Sequence, residues 1–489
     1  MVQQVWNWNN FRGWLSDNPF LWQEGQFQDG VSTDVQSEPN GFKITSDYNT
    51  ALVVASNPNV ILDLQDFGWN GIYTFCASWE IYKDVSTTPI YTNLTGSEIV
   101  SATALWNSGT LYIYYLTAIG WLHRINVDGT GHALKESLTG YTDYAMVQYA
   151  GDLYFGDKNL FRRYTNTEVL STIYTLPTAE RITGITFFQD SFKIYSKTIA
   201  SDASLTPRDG KQYVIRAGET EPDYETLWKR LPIMGVSNAW AIDYVVTGSG
   251  NNYSDLFAVS GTQRQLLKSN PDGMSLWRKF NGKIVSWKDD AFLLGWHNLA
   301  ATSVNWNAIF RLGKAFPWLP QALTDIFRAG SWWTIYSILA SYYQIHFGYY
   351  NTWTGVRWRA VLSIDNPVTT YNGNAYIVSQ VFTGWDATIK KSLDQIDISY
   401  MCDNNNPYYP HGWDILIYAR LNPSDTWTQI GTTYTKTDIG SIKITSNEIT
   451  TAWLDSFFQI ELKCTIVQGS STLSPLVTGI KTTYSLLNS

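Results

Sequence analysis

The chain has little that titrates and little that cross-links. Of its 489 residues 16% are charged, three are cysteine (Cys76, Cys402, Cys464) and five are histidine. No two cysteines have Cys-x-x-Cys spacing, and an odd count argues against a secreted disulfide scaffold. They read as buried thiols, with a bridge between Cys402 and Cys464 left open. His123, His132, His297, His346 and His411 are scattered, without Cys or carboxylates at metal-ligand spacing, so no metal or cofactor is expected. HExxH, GxSxG, GxxxxGK and GxGxxG patterns are all missing, and no catalytic residue stands out. A net charge of −8, with no basic run longer than a pair such as Lys390-Lys391, argues against nucleic acid as a partner. No window stays apolar for the roughly 18 to 20 residues of a membrane-spanning helix. The opening MVQQVWNWNNFRGW has no charged stretch followed by an apolar core, so no cleaved leader is expected.

What the chain does have is aromatic residues, 15% of the total with 23 Trp and 31 Tyr. Such rings favour strands and pack well between sheets, and on a surface they supply contacts to proteins or sugars. They recur in one context, an apolar or aromatic residue, a short turn, then an apolar pair. The copies are FGWNGIYTF at Trp69, ALWNSGTLYIYY at Trp106, MVQYAGDLYF at Tyr149, TFFQDSFKIY at Phe188, IVSWKDDAFLL at Trp287, FRAGSWWTIY at Arg328 and TTYNGNAYIV at Tyr371. SNAWAIDYVV at Trp240 is a degenerate copy in the one long gap, which gives a period of about 40 residues. One such unit of about four strands cannot bury both its faces, so neighbours must stack and the ring must close. The expected fold is therefore all-β, an irregular β-propeller of about seven blades, six or eight being the alternatives.

From KKSLDQIDISY onward the text changes to cleanly alternating strands: WDILIYAR, TWTQIG, SIKITS, FFQIELKCTIV and SPLVTGIKTTYSLL. These predict a C-terminal antiparallel β-sandwich. The first residues have aromatics without a stable period and read as an extended arm. The expected domains are an N-terminal arm over 1–58, a propeller over 59–384 and a sandwich over 385–489.

Three short segments carry residue types that chemistry could use. NVDGTGH (126–132) has part of a calcium loop but lacks its further carboxylates, and reads as a blade-to-blade turn. SNPDGMSLW (269–277) reads as a turn. Asp289-Asp290 lies at a hairpin tip, where adjacent carboxylates point apart. GYYNTWTGVRW (348–358) and CDNNNPYYPHGW (402–413) have the composition of either a glycan-binding rim or a protein contact.

The order of parts, with KKSLDQIDISY, WDILIYAR, TWTQIG, FFQIELKC and SPLVTGIKTTY in sequence, resembles the propeller-bearing structural proteins of tailed bacteriophages, found in tails and at the head-to-tail region. The resemblance implies a non-enzymatic virion component that works through assembly interfaces with other virion proteins, as a homo-oligomer or in association with a ring. On that reading Trp6, Trp8 and Trp14 of the arm and Tyr349, Tyr350 and Trp353 of a rim are the contact candidates. The alternatives are a carbohydrate-binding or glycan-cleaving propeller that recognises a host surface glycan, and a cellular scaffold propeller.

Overall fold

A computed structural model describes residues 3–8, 27–31, 33–34, 43–44, 49–54, 61–77, 79–92, 97–138, 145–199, 209–239, 242–248, 255–261, 263–268, 276–287, 290–299, 305–313, 322–328, 333–341, 344–351, 353–354, 356–363, 374–379, 381–383, 387–402, 413–422, 424–436, 440–449, 451–467 and 475–487. Short strands joined by tight turns account for nearly all of them. Three of the turns place two consecutive residues at positive φ, Ser108-Gly109, Ala150-Gly151 and Gln189-Asp190. That geometry matches the right-handed twist of the flanking strands.

Seven four-stranded antiparallel sheets follow one another among the described residues. Sheet 1 comprises Ile61–Asp66, Ile72–Cys76, Glu80–Lys83 and Tyr91–Thr92. Sheet 2 comprises Ile99–Asn107, Thr110–Thr117, Trp121–Asn126 and Ala133–Ser137, and sheet 3 Met146–Tyr149, Asp152–Asp157, Leu160–Tyr164 and Leu170–Thr175. Sheet 4 holds Glu180–Phe188, Ser191–Thr198, Gly210–Arg216 and Tyr224–Trp228, and sheet 5 Ile233–Ala239, Ile242–Thr247, Asp255–Ser260 and Gln263–Lys268. Sheet 6 holds Leu276–Trp287, Asp290–Leu299, Asn305–Gly313 and Ala322–Arg328. Sheet 7 takes Trp333–Ser341, Gln344–Asn351 and Arg357–Ser363, and its outer strand is Asn49–Val54 from the other end of the chain.

The first strand of each sheet packs beside the first strand of the next, and that of sheet 7 beside that of sheet 1, so the body is all-β and propeller-like. One device recurs at these seams. The first strands of sheets 1, 2, 4, 5 and 7 each carry a register shift directly after a buried isoleucine: Ile61, Ile99, Ile182, Ile233 and Ile335. A bulge bends a strand and re-aims its side chains. Here it turns the isoleucine onto the preceding sheet: Ile99 clusters with Tyr73 and Phe75, Ile182 with Tyr154 and Phe161, and Ile233 with Tyr195 and Trp228. Glycines make room. A Cβ at Gly156 would come within 2.6 Å of Ile182, and one at Gly348 within 2.6 Å of Ile61.

The remaining described strands form a short pair, Thr33–Asp34 with Lys43–Ile44, and two larger sheets. One has the order Gln3–Trp8, Pro475–Leu486, Lys391–Cys402, Gly440–Thr445; the other Phe27–Val31, Asn374–Ser379, Glu461–Val467, Trp413–Arg420, Thr428–Lys436. They share one apolar core. Trp6 and Trp8 belong to it, because Gln3–Trp8 pairs along Pro475–Leu486 and every second side chain then points inward. Trp6 stacks on Phe382 at 4.5 Å. Gln3–Trp8, Phe27–Val31 and Asn49–Val54 of the N-terminal segment are thus strands added to other sheets, while Thr33–Asp34 and Lys43–Ile44 pair with each other. Likewise Asn374–Ser379, expected within the propeller, pairs with Glu461–Val467. FRAGSWWTIY joins sheets 6 and 7 instead of forming a hairpin: among the described residues Ala322–Arg328 pairs only backward onto Asn305–Gly313. Cys76 and Cys464 are free, buried thiols, so a bridge from Cys464 to Cys402 is not made. Among the described residues no helix is long and apolar enough to cross a membrane.

Candidate interaction face

In a four-stranded meander the first and third turns lie at one end of the sheet and the second turn at the other. Six of the eight aromatic turns noticed in the sequence, those at Trp69, Trp106, Tyr149, Phe188, Trp240 and Trp287, lie between a first and a second strand, so stacking the sheets gathers them on one face. At sheets 1 and 2 they remain open. Trp69 lies in a single 3₁₀ turn, Gly68–Asn70, with no packing partner and its ring fully exposed, and Trp106, next to the Ser108-Gly109 turn, is 58% exposed. At sheets 3 and 4 the rings satisfy each other: Tyr149 lies 3.9 Å from Phe187, and its hydroxyl donates to Asp190 Oδ1 at 3.4 Å. Trp240 and the Trp287 side chain lie outside the described parts.

Third turns at the same end are fastened by polar groups. Asp128 Oδ1 accepts from the Thr130 amide at 2.9 Å and its hydroxyl at 2.7 Å, which holds the Asp128 carboxyl below the usual range. NVDGTGH is therefore a turn inside sheet 2, joining its third and fourth strands, and not the blade-to-blade turn expected. The Arg124 and Lys135 side chains of sheet 2 both pair with Glu168 of sheet 3. Asp152 and Asp290, each opening a second strand, pair with Arg163 and Arg311 of the neighbouring third strand, Nε to Oδ2 at 2.7 Å in both. Asp290 thus has a cation to hold it and Asp289 lies outside the described residues.

The sequence-derived contact candidates divide. Trp6 and Trp8 are 7% and 5% exposed in the two-sheet core, so the folded chain offers no free surface there, and Trp14 lies outside the described residues. Tyr349 is buried and stacks on Trp358 at 5.0 Å, while Tyr350 is half-buried under Arg357. Only Trp353 is open, at 77% exposure, on the second turn of sheet 7 and hence on the opposite face from Trp69 and Trp106. Asn351 Oδ1 builds that turn by accepting from the Trp353 and Thr354 amides at 2.9 and 3.0 Å. Trp69 and Trp106 were visible in the sequence as repeat anchors. Their exposure was not, because the same turn in sheets 3 and 4 is self-packed.

Among the described residues no group of three His, Cys, Asp or Glu converges as a metal site. His123 and His132 meet, Nδ1 to Nε2 at 2.8 Å, stacked among Tyr91 and Tyr115. Burial and the second ring push His123 down to about 4.

No protein-family model and no curated protein matches this sequence. Among solved structures the chain is similar to the crystal structure of Chaetomium thermophilum Raptor, with 11% identity and a TM-score of 0.45, covering 66% of this chain and 29% of that one. A chain in the crystal structure of the Mitotic Checkpoint Complex matches with 8% identity and a TM-score of 0.43, over 67% of this chain and 98% of that one. The computationally designed Ika8 protein matches with 12% identity and a TM-score of 0.38, over 68% of this chain and 96% of its own.

Proposed function

We propose that this protein is a non-catalytic structural component of a tailed-phage particle, in the tail or neck, and that it assembles through the face carrying Trp69 and Trp106. On this reading the seven sheets are seven blades and the two-sheet unit is a closing sandwich. The observation that carries the proposal is the pair of open indoles at the neighbouring hairpin tips of sheets 1 and 2, whereas the rings at the tips of sheets 3 and 4 pack on each other. Large exposed apolar rings are costly on a free surface and are the residues that dominate protein contacts when buried by a partner. The sequence resemblance in the last hundred residues supplies the particle. Quantitative mass spectrometry of purified particles, scaled to the portal protein, tests it: a fixed ratio of a few to a dozen copies is expected, and absence from the particle would overturn it.

A second reading, recognition of a host glycan, rests on Trp353, an exposed indole on the other face beside polar turn residues. A broad glycan panel with the isolated protein checks it, and Trp353→Ala should abolish any binding found. No binding on the panel would remove it.

A further inference from the structure

The described residues bury five cations, and three of them are neutralised or fully hydrogen-bonded in plain view. Lys193 meets Asp243 at 2.8 Å, Arg311 meets Asp290 at 2.5 Å, and Lys391 donates to the carbonyls of Ile389 and Phe458. Arg357 and Arg359, each 2% exposed, form no ion pair with a carboxylate among the described residues. Arg359 Nη1 donates to Thr74 Oγ1 at 3.1 Å, and the Arg357 guanidinium lies over the Tyr350 ring at 5.1 Å. The Nε of both is buried without a partner there, as are both ring nitrogens of His346.

These groups share one surface. The register pairs His346 with Val361, Gly348 with Arg359 and Tyr350 with Arg357, so alternate residues of the two strands point the same way. That way is toward sheet 1: Gly348 abuts Ile61, and Arg359 reaches Thr74 in the second strand of sheet 1. The cluster therefore lines the seam where the last sheet meets the first. Acidic groups of sheet 1 act on it only at longer range, Asp84 on Arg359, Glu80 on Arg357 and Asp66 on His346. Two buried positive charges without a counter-charge cost several kcal/mol each in an apolar seam, and that cost falls if an anion joins them. A planar guanidinium fork presents parallel N–H donors at the spacing of carboxylate or phosphate oxygens.

We propose that the seam between sheets 7 and 1 binds a small oxyanion of the phosphate or carboxylate class through Arg357, Arg359 and His346, and that the bound anion fastens the closure of the ring. The site is independent of the virion reading. The test is equilibrium dialysis of the full chain against labelled phosphate, and in parallel labelled succinate, with sulfate as competitor. Thermal unfolding in phosphate and in chloride at matched ionic strength accompanies it. Saturable binding of one anion per chain is expected, with a phosphate-dependent rise in the unfolding midpoint. General salting effects are separated by an Arg357→Met/Arg359→Met variant, which should lose the binding and the site-specific part of the rise. If that pair fails to fold, Arg359→Gln should weaken binding at least tenfold. Absence of saturable binding of either anion, or an unchanged phosphate response in the variants, would overturn the proposal.

Discussion

Two seams of the same ring solve the same problem in opposite ways. Between sheets 4 and 5, Asp243 is fully buried and saturated: Lys193 Nζ at 2.8 Å, the Tyr195 hydroxyl at 2.6 Å and Asn238 Nδ2 at 2.6 Å all donate to it. That carboxylate in turn drives the Tyr195 hydroxyl far above its ordinary range, after burial itself. Between sheets 7 and 1 the buried charges are all of one sign. The internal seam is complete in itself, whereas the seam that joins the two ends of the chain is left to an outside partner. Continuous chain holds sheets 4 and 5 together, while sheets 7 and 1 meet across the whole length of the body, with Asn49–Val54 as the covalent strap.

The largest expected effect comes from breaking the complete seam. Asp243→Ala leaves Lys193 buried and unpaired and should cost about 3 to 5 kcal/mol in chemical denaturation. Lys193→Met/Asp243→Leu, which removes both charges, should recover most of it. Next, filling the glycine notches should hurt both seams: a Cβ at Gly184 would stand 2.0 Å from Val236 Cγ1, and one at Gly348 2.6 Å from Ile61 Cβ. Gly184→Ala and Gly348→Ala should each lose about 1 to 3 kcal/mol by overpacking.

Acid sharpens the contrast. Burial first, then Arg359, pushes His346 down to about 4, and His123 is held near the same value. Both are therefore neutral when folded but protonate near 6.5 when unfolded. Their stabilisation is present above pH 6.5 and is lost as pH falls from 6.5 toward 4, each adding a slope of at most about 1.4 kcal/mol per pH unit. His346→Leu should flatten that slope in pH-dependent urea melts. Asp243→Asn should not. In chloride buffer Arg357→Met should be neutral or slightly stabilising, the opposite sign from Asp243→Ala. The smallest expected effect on stability is at the tips. Trp69→Ser and Trp106→Ser should each change it by less than about 0.5 kcal/mol, because neither ring is buried in the chain.

Local chemistry explains what was legible in the sequence. Turns such as Asn107-Ser108-Gly109 and Tyr149-Ala150-Gly151 announce themselves because only a few residue types tolerate two positive φ values. The strands Lys391–Cys402 and Trp413–Arg420 were readable from strict alternation. The last repeat was misplaced because its first hairpin, between Ser341 and Gln344, carries the tyrosines of SYYQ where every other repeat except that of sheet 5 has Gly or Asp. The better anchor was the buried isoleucine that five of the seven first strands carry, followed two residues on by Asp, Ser or Gly, as in Ile61-x-Asp63, Ile99-x-Ser101 and Ile182-x-Gly184. It was hidden because a single isoleucine is a weak signal until the bulge shows what it does. Strand exchange between the chain ends was illegible for a different reason. Pairing of Gln3–Trp8 with Pro475–Leu486 is set by tertiary contact, which no local pattern encodes. Arg357-Trp358-Arg359 alternates like any surface strand, and only the stacking of sheet 7 on sheet 1 makes both arginines interior.

We propose that the face bearing Trp69 and Trp106 is an assembly surface of a virion protein. Its most direct test is the copy number per purified particle for the parent chain and for Trp69→Ser/Trp106→Ser, with both chains shown to have the same unfolding midpoint. A fixed number of parent copies and at least a tenfold loss of the variant from particles are expected. Incorporation of the variant at the parental level, or particles that lack the parent altogether, would contradict it.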